Sequence, residues 1–312
     1  MSAIRATGLS RSFGDLTAVD GIDLDIPEGE IFGLVGPDGA GKTTTMRLLT
    51  AVIDPTSGSA QILGHDSVRE AERIKEKIGY MSQRFGLYPD LTVIENIHFY
   101  ADLYGEPRKG RPERIDELLS FSNLTPFKKR LARNLSGGMK QKLGLACALI
   151  HTPEVLFLDE PTNGVDPVSR RDFWRILYRL VRDGLTIFVS TAYLDEAERC
   201  TRVGLMHQGR LLAVDTPEEI KKLMEGTLLE FNCDEPRRAM LLLREKLPQA
   251  TVGLFGEHVH VVTMAPQDMK QEIPSLLQNA GISVDEIRTV EPSLEDVFIS
   301  VLENREQNRE PE

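Results

Sequence analysis

Apolar and polar positions follow two alternating rhythms over the first two-thirds of the chain. Short apolar runs at residues 31–35 and 155–158, and the run TIFVS at 186–190, read as strands buried on both faces. The first leads into a glycine-rich turn, residues 36–41, and a helical stretch from Lys42; the third precedes an acidic helix start at Asp195-Glu196. Strands alternating with helices predict an α/β fold around a mostly parallel sheet. Residues 4–9 and 21–26 read as an antiparallel pair, with turn residues such as Pro27-Glu28-Gly29 between them. From Tyr88 to Ile150 the strand signal gives way to helical patterns, which predicts a helical insertion.

The pattern changes again past residue 226. Strand 227–233, helix 236–247, strands 251–255 and 258–264, helix 266–280, strand 283–290 and a helix from Ser293 follow in turn. That order predicts a small α+β, ferredoxin-like domain. The expected organisation is therefore a domain over residues 1–222 with its helical subdomain at about 88–150, a second domain over 226–302, and a frayed polar tail at 303–312.

Length agrees, since 312 residues exceed what one core usually supports. Charge then separates the two parts. The net charge is −11, and residues 226–312 carry 8 Lys and Arg against 16 Asp and Glu, or −8 of it. The first part is nearly neutral. An acidic chain is a poor phosphate-backbone binder, so no nucleic-acid partner is expected. No run approaches 18 apolar residues, and residues 1–14 lack the apolar stretch of a leader peptide. Cys147, Cys200 and Cys233, odd in number and scattered, suit reduced thiols better than disulfides or a metal site.

Gly36-Pro37-Asp38-Gly39-Ala40-Gly41-Lys42-Thr43 satisfies G-x-x-x-x-G-K-[ST], between a predicted strand and a predicted helix. Such a loop turns backbone N–H groups toward phosphate oxygens, and the helix adds the positive end of its dipole. Lys42 would reach the β- and γ-phosphates of a nucleotide, and the Thr43 hydroxyl, with Thr44 beside it, would face Mg²⁺. Asp159 and Glu160 supply adjacent carboxylates at the carboxyl end of a buried strand. Taken alone they could be a solvated turn. Beside a phosphate loop they suit a metal-holding Asp159 and a general base Glu160.

Leu135-Ser136-Gly137-Gly138-Met139-Lys140-Gln141 carries the resemblance to a family. It resembles the LSGGQ signature of the ATP-binding cassette (ABC) ATPases, with Met139 replacing the Gln, and Ser136 stands 23 residues before Asp159. Physically, Ser136 can cap the next helix, and the Gly137 and Gly138 amides make a second anion site. Phe13 matches the family's adenine-stacking aromatic, Gln83 its Q-loop glutamine near the metal, and Asn163-Gly164-Val165-Asp166 its D-loop. The resemblance covers residues 3–222. It implies a P-loop NTPase cassette with a mixed sheet, ATP and Mg²⁺ as ligands, and head-to-tail pairing with a second cassette, like or unlike. Glu160, Lys42 and Gln83 would then act in hydrolysis, and Ser136, Gly137, Gly138 and Asp166 at the nucleotide.

Two further positions depart from the family pattern. Ala192 stands where the family carries a histidine that contacts the γ-phosphate, and Asp38 replaces the usual Asn. Losing one transition-state contact of this kind costs about 10²–10³ in rate, so tight binding with slow hydrolysis is expected.

The stretch AVDGIDLDIPEGEIFGLVGPDGAGKTT and the late EPSLEDVF look like the ATP-binding subunits of bacterial drug-resistance exporters. That likeness implies a separate integral membrane permease and a place on the cytoplasmic face of the membrane. Phe85, Leu87, Tyr88, Leu91, Val93, Ile97, Phe99 and Tyr100 could partly line a groove for that partner, although most read as ordinary core. Glu291 to Asp296 reads as a capped helix start. An ATP-gated regulatory dimer, or a degenerate partner in a heterodimer, is the alternative. A soluble non-transport ABC protein suits the chain less, for it lacks a tandem cassette or long coiled-coil insertion.

Overall fold

The structure is a computed structural model that describes residues 1–84 and 86–307, with side chains described through residue 302. Two compact units emerge, Met1–Thr216 and a second beginning at Pro217.

In the first unit, β1 (Ser2–Phe13) and β2 (Leu16–Pro27) pair antiparallel over 12 residues each. Both are longer than the sequence suggests, because the alternation of buried and exposed side chains continues across bulges. Their connection is Gly14-Asp15; the Pro27–Gly29 turn joins β2 to the next strand instead. Then come β3 (Ile31–Val35), α1 (Lys42–Leu49), β4 (Ser57–Ile62), β5 (His65–Asp66), α2 (Ala71–Lys77) and β6 (Ile78–Met81). Helices α3 (Val93–Leu103), α4 (Arg111–Phe121) and α5 (Gly137–Ala148) fill the insertion. After them follow β7 (Val155–Asp159), α6 (Pro167–Arg182), β8 (Thr186–Thr191), α7 (Leu194–Ala197), β9 (Arg202–His207) and β10 (Arg210–Asp215).

Two sheets result. One has the order β2-β1-β4-β5 and is antiparallel; the other has the order β10-β9-β3-β8-β7-β6, parallel except for β10. All residues of β3, β7 and β8 are buried, as strands covered on both faces must be. Phe32, Phe157 and Phe188 join one core with residues of β1, β2 and α1. The parallel strands end together at Val35, Asp159 and Thr191, so the loops that carry chemistry share one edge.

The second unit contains α8 (Pro217–Lys221), β11 (Thr227–Asn232), α9 (Pro236–Lys246), β12 (Thr251–Phe255), β13 (His258–Thr263), α10 (Pro266–Asn279), β14 (Arg288–Val290) and α11 (Leu294–Gln307). Its sheet order β12-β13-β11-β14, with every pairing antiparallel, is that of a βαββαβ unit. The strand expected over 283–290 shrinks to β14 plus a bridge between Cys233 and Val284, since Asp285 and Glu286 offer nothing to bury. Helix α11 reaches Gln307, five residues into the run expected to fray; residues 308–312 lie outside the described residues.

Candidate active site

The phosphate loop is shaped by contacts behind it. The Gly36 amide donates to the Thr191 carbonyl (3.4 Å), and a Cβ at Gly36 would meet the Met206 carbonyl oxygen at 2.1 Å. Gly41 sits at φ 106°, where a Cβ would come within 2.3 Å of the Ala18 oxygen. Only glycine fits either position. Gly41 caps α1 without a side-chain hydrogen bond, and Pro37, Asp38 and Gly39 are exposed while Ala40 is buried. The first amides of α1 thus lack a side-chain cap, which suits an anion.

Lys42 is 4% exposed, and its ammonium donates to the carbonyls of Gly36 (2.8 Å) and Pro37 (3.0 Å). Its remaining direction meets Glu160, with Nζ to Oε1 at 3.4 Å. Glu160 stands in the left-handed region at φ 49°, a conformation that non-glycine residues rarely adopt outside special sites. Its amide donates to the Ser190 carbonyl and hydroxyl, both at 3.1 Å. Its Oε2 accepts from Gln83 Nε2 (2.8 Å) and Asn163 Nδ2 (3.2 Å). Asp159, 1% exposed, accepts from Thr43 Oγ1 (3.1 Å) and Ser190 Oγ (2.6 Å).

Lys42, Thr43, Gln83, Asp159 and Glu160 are therefore joined in one network. Asn163 and Ser190 also belong to it, and the sequence reading assigned neither a bond there. Ser190 lay inside a strand pattern where a hydroxyl carries no signal. A cavity of about 240 Å³ opens beside Glu160, lined also by Asp38, Thr162, Asn163, Thr191, Ala192 and Tyr193.

Phe13 is 47% exposed with the Arg11 guanidinium 4.6 Å from its ring centroid. Ser136 accepts a bond from Met139 N (3.3 Å), capping α5, and Asp166 caps α6 through Ser169 N (2.9 Å). A Cβ on Gly138 would lie 2.5 Å from the Ser169 side chain, so the start of α5 abuts the start of α6. Among the described residues, no hydrogen bond joins Ser136, Gly137 or Gly138 to the phosphate loop.

A phosphate loop leading into α1, a strand-end carboxylate pair and a parallel sheet define a P-loop nucleotide-binding protein. The ABC transporter family model matches residues 19–163. Over 306 residues the chain is 43% identical to the probable multidrug ABC transporter ATP-binding protein YbhF of Escherichia coli (strain K12), covering 96% of this chain and 52% of that one. It thus spans about half the length of that relative. With the daunorubicin resistance ATP-binding protein DrrA2 of Streptomyces coeruleorubidus it shares 34% over 313 residues, covering 99% and 97%. The bacitracin transport ATP-binding protein BcrA of Bacillus licheniformis is likewise 34% identical, over 96% of this chain and 97% of its own. Among solved structures, the dimeric ATP-binding cassette MJ0796 bound to ADP and Pi aligns at TM-score 0.62 and 27% identity, covering 68% of this chain and 98% of that one. The chain belongs to the ABC transporter ATP-binding proteins.

Proposed function

We propose that this chain is the ATP-hydrolysing subunit of an ABC exporter and works as one of two paired cassettes. The observation that carries this reading is the Lys42–Glu160–Gln83 contact set beside Thr43–Asp159. Lys42 is paired with a carboxylate at the phosphate loop, so an incoming phosphate would exchange one anion for another. Glu160 would then be released from Lys42 to orient and deprotonate water, while Gln83 and Asn163 hold its second oxygen.

Mg²⁺ fits the donors available. Thr43 and Asp159 provide two hard oxygens 3.1 Å apart, and among the described residues no cluster of three His, Cys, Asp or Glu side chains forms a complete metal cage. Mg²⁺ characteristically takes one or two protein oxygens and completes its shell with phosphates and water. When bound, it neutralises charge developing on the phosphates.

Ser136, Gly137, Gly138 and Asp166 would serve the nucleotide of a second cassette, since their own chain's phosphate loop is out of their hydrogen-bonding reach. A permease would engage the groove of about 340 Å³ lined by Gln83, Arg84, Leu87, Pro89, Ala132 and Arg133. The Tyr88 and Phe99 rings pack at a tilt with centroids 4.4 Å apart and are both exposed, whereas Val93 and Ile97 are core. Phe85 lies outside the described residues. Among the described residues no helix is long and apolar enough to cross a membrane, so attachment at its cytoplasmic face would run through that permease. The relatives' names, a probable multidrug transporter and daunorubicin and bacitracin proteins, favour export over a purely regulatory dimer.

Ala192 is exposed at the cavity beside Glu160 and presents only a methyl there. The purified chain is expected to bind ATP–Mg²⁺ tightly and turn over slowly. An Ala192→His variant should hydrolyse about 10²–10³-fold faster. Parent turnover equal to that of the variant refutes the role given to this position.

A further inference from the structure

Glu196 has no exposed surface and takes no part in the scheme above. Its two carboxylate oxygens nevertheless tie together the segments that frame the cavity beside Glu160. Oε1 accepts from Thr162 Oγ1 at 2.5 Å, and Oε2 accepts from Thr191 Oγ1 at 2.8 Å. Arg170 Nε lies 3.3 Å from Oε1.

Each partner has a second attachment. Thr162 belongs to the turn that carries Glu160 and Asn163, and its carbonyl accepts from Val165 N (3.1 Å). Thr191 ends β8 next to Ala192, and its hydroxyl oxygen also accepts from the Tyr193 amide (3.0 Å). Arg170 stands in the first turns of α6, with its guanidinium 4.5 Å from the Tyr193 ring centroid and 3.7 Å from Asp195. A carboxylate out of water persists only where charge and hydrogen bonds satisfy it. Shifting the Glu160 turn against the end of β8 would break a charge-assisted bond on one side or the other. Ala192 has no polar side chain with which to fix that segment, so its placement depends on its neighbours.

We propose that Glu196 is a positioning residue for ATP hydrolysis, holding the 160–163 turn in register with residues 191–193 so that Glu160 stays aimed at the attacking water. This rests on the reading of Glu160 as general base. Residues that orient a functional group through hydrogen bonds, as the outer partners of metal ligands do, typically contribute 10–100-fold to activity, and a small displacement of a reacting group can cost about 10²-fold.

The test uses the full chain with ATP–Mg²⁺, following single-turnover hydrolysis of labelled ATP, nucleotide affinity and thermal unfolding. Glu196→Gln and Thr162→Val should each lower the hydrolysis rate about 10–100-fold, with ATP affinity changed less than about threefold. Thr162→Ser should restore the rate, and the Glu196→Gln/Thr162→Val double variant should be no slower than the slower single variant. Unchanged rates in both single variants overturn the proposal, as do additive losses or lowered thermal stability with an unchanged rate. If Glu196→Gln does not fold, Thr162→Val decides alone. Glu160→Gln is run alongside: undiminished hydrolysis there overturns the base assignment itself, whereas its loss with unaffected Glu196 and Thr162 variants overturns only the role of Glu196.

Discussion

Each unit buries a cluster of acids beside a basic group, and the two clusters close differently. In the second unit His260, on β13, donates or accepts toward Asp296 through Nδ1 (2.6 Å) and toward Glu230 through Nε2 (3.1 Å), with the Phe255 ring stacked at 4.4 Å. Asp296 also completes a capping box, taking Ser293 N (2.8 Å) while Ser293 Oγ takes Asp296 N (3.2 Å). Each group there meets protein partners, and backbone geometry is ordinary for a strand and a helix start. The phosphate-loop cluster instead uses a strained Glu160, a lysine coordinated by carbonyls, and a helix start without a side-chain cap. Strain and open donors mark a site built for a ligand; complete pairing marks a clasp built for stability.

Substitutions should separate the two. Lys42→Ala removes the cation at the phosphate loop and should weaken ATP binding about 10–100-fold, with titration of a fluorescent nucleotide as the readout. Unaltered affinity would show that Lys42 serves only Glu160. In the second unit, His260→Ala leaves Asp296 without its ring partner and should cost about 1–3 kcal/mol of stability, measured by denaturant unfolding, while ATP affinity is retained.

The clasp also predicts a pH dependence. Burial opposes charging of His260, but the Asp296 and Glu230 carboxylates outweigh it and its pKa is raised. Burial likewise disfavours the Asp296 carboxylate, yet the bonds from His260 and Ser293 prevail and its pKa is lowered. A raised His pKa stabilises fully below the unfolded value near 6.5 and is lost as pH rises through the folded one. The unfolding midpoint of the second unit should therefore fall above neutrality, and His260→Ala should flatten that slope. A parent slope retained in the variant would assign it to other groups. Least of all, Ser136→Ala removes a helix cap and should cost about 1 kcal/mol, read as a small drop in the unfolding midpoint.

What the sequence disclosed follows from how each signal is encoded. The phosphate loop, the acid pair after β7 and the caps at Ser136 and Ser293 are local patterns, and the structure has hydrogen bonds at each of them. The Thr162–Glu196–Thr191 ties and the Ser190 bonds to Asp159 and Glu160 were not legible. All but the Thr191–Glu196 bond, five positions apart, join residues 30 or more positions apart, and all run through hydroxyls that carry no periodicity. The β1–β2 turn was misplaced because Gly14-Asp15 is brief beside the louder Pro27-Glu28-Gly29. Short β5 and β6 offered too few residues for a pattern.

The central claim is that Glu160 is the base of an ATP-hydrolysing site whose binding groups do not depend on it. The most direct measurement is ATP binding and single-turnover hydrolysis by the full chain and its Glu160→Gln variant, side by side with Mg²⁺. The account predicts comparable nucleotide affinity and a loss of hydrolysis of about 10²–10⁴-fold in the variant. Equal hydrolysis by the two proteins would contradict it.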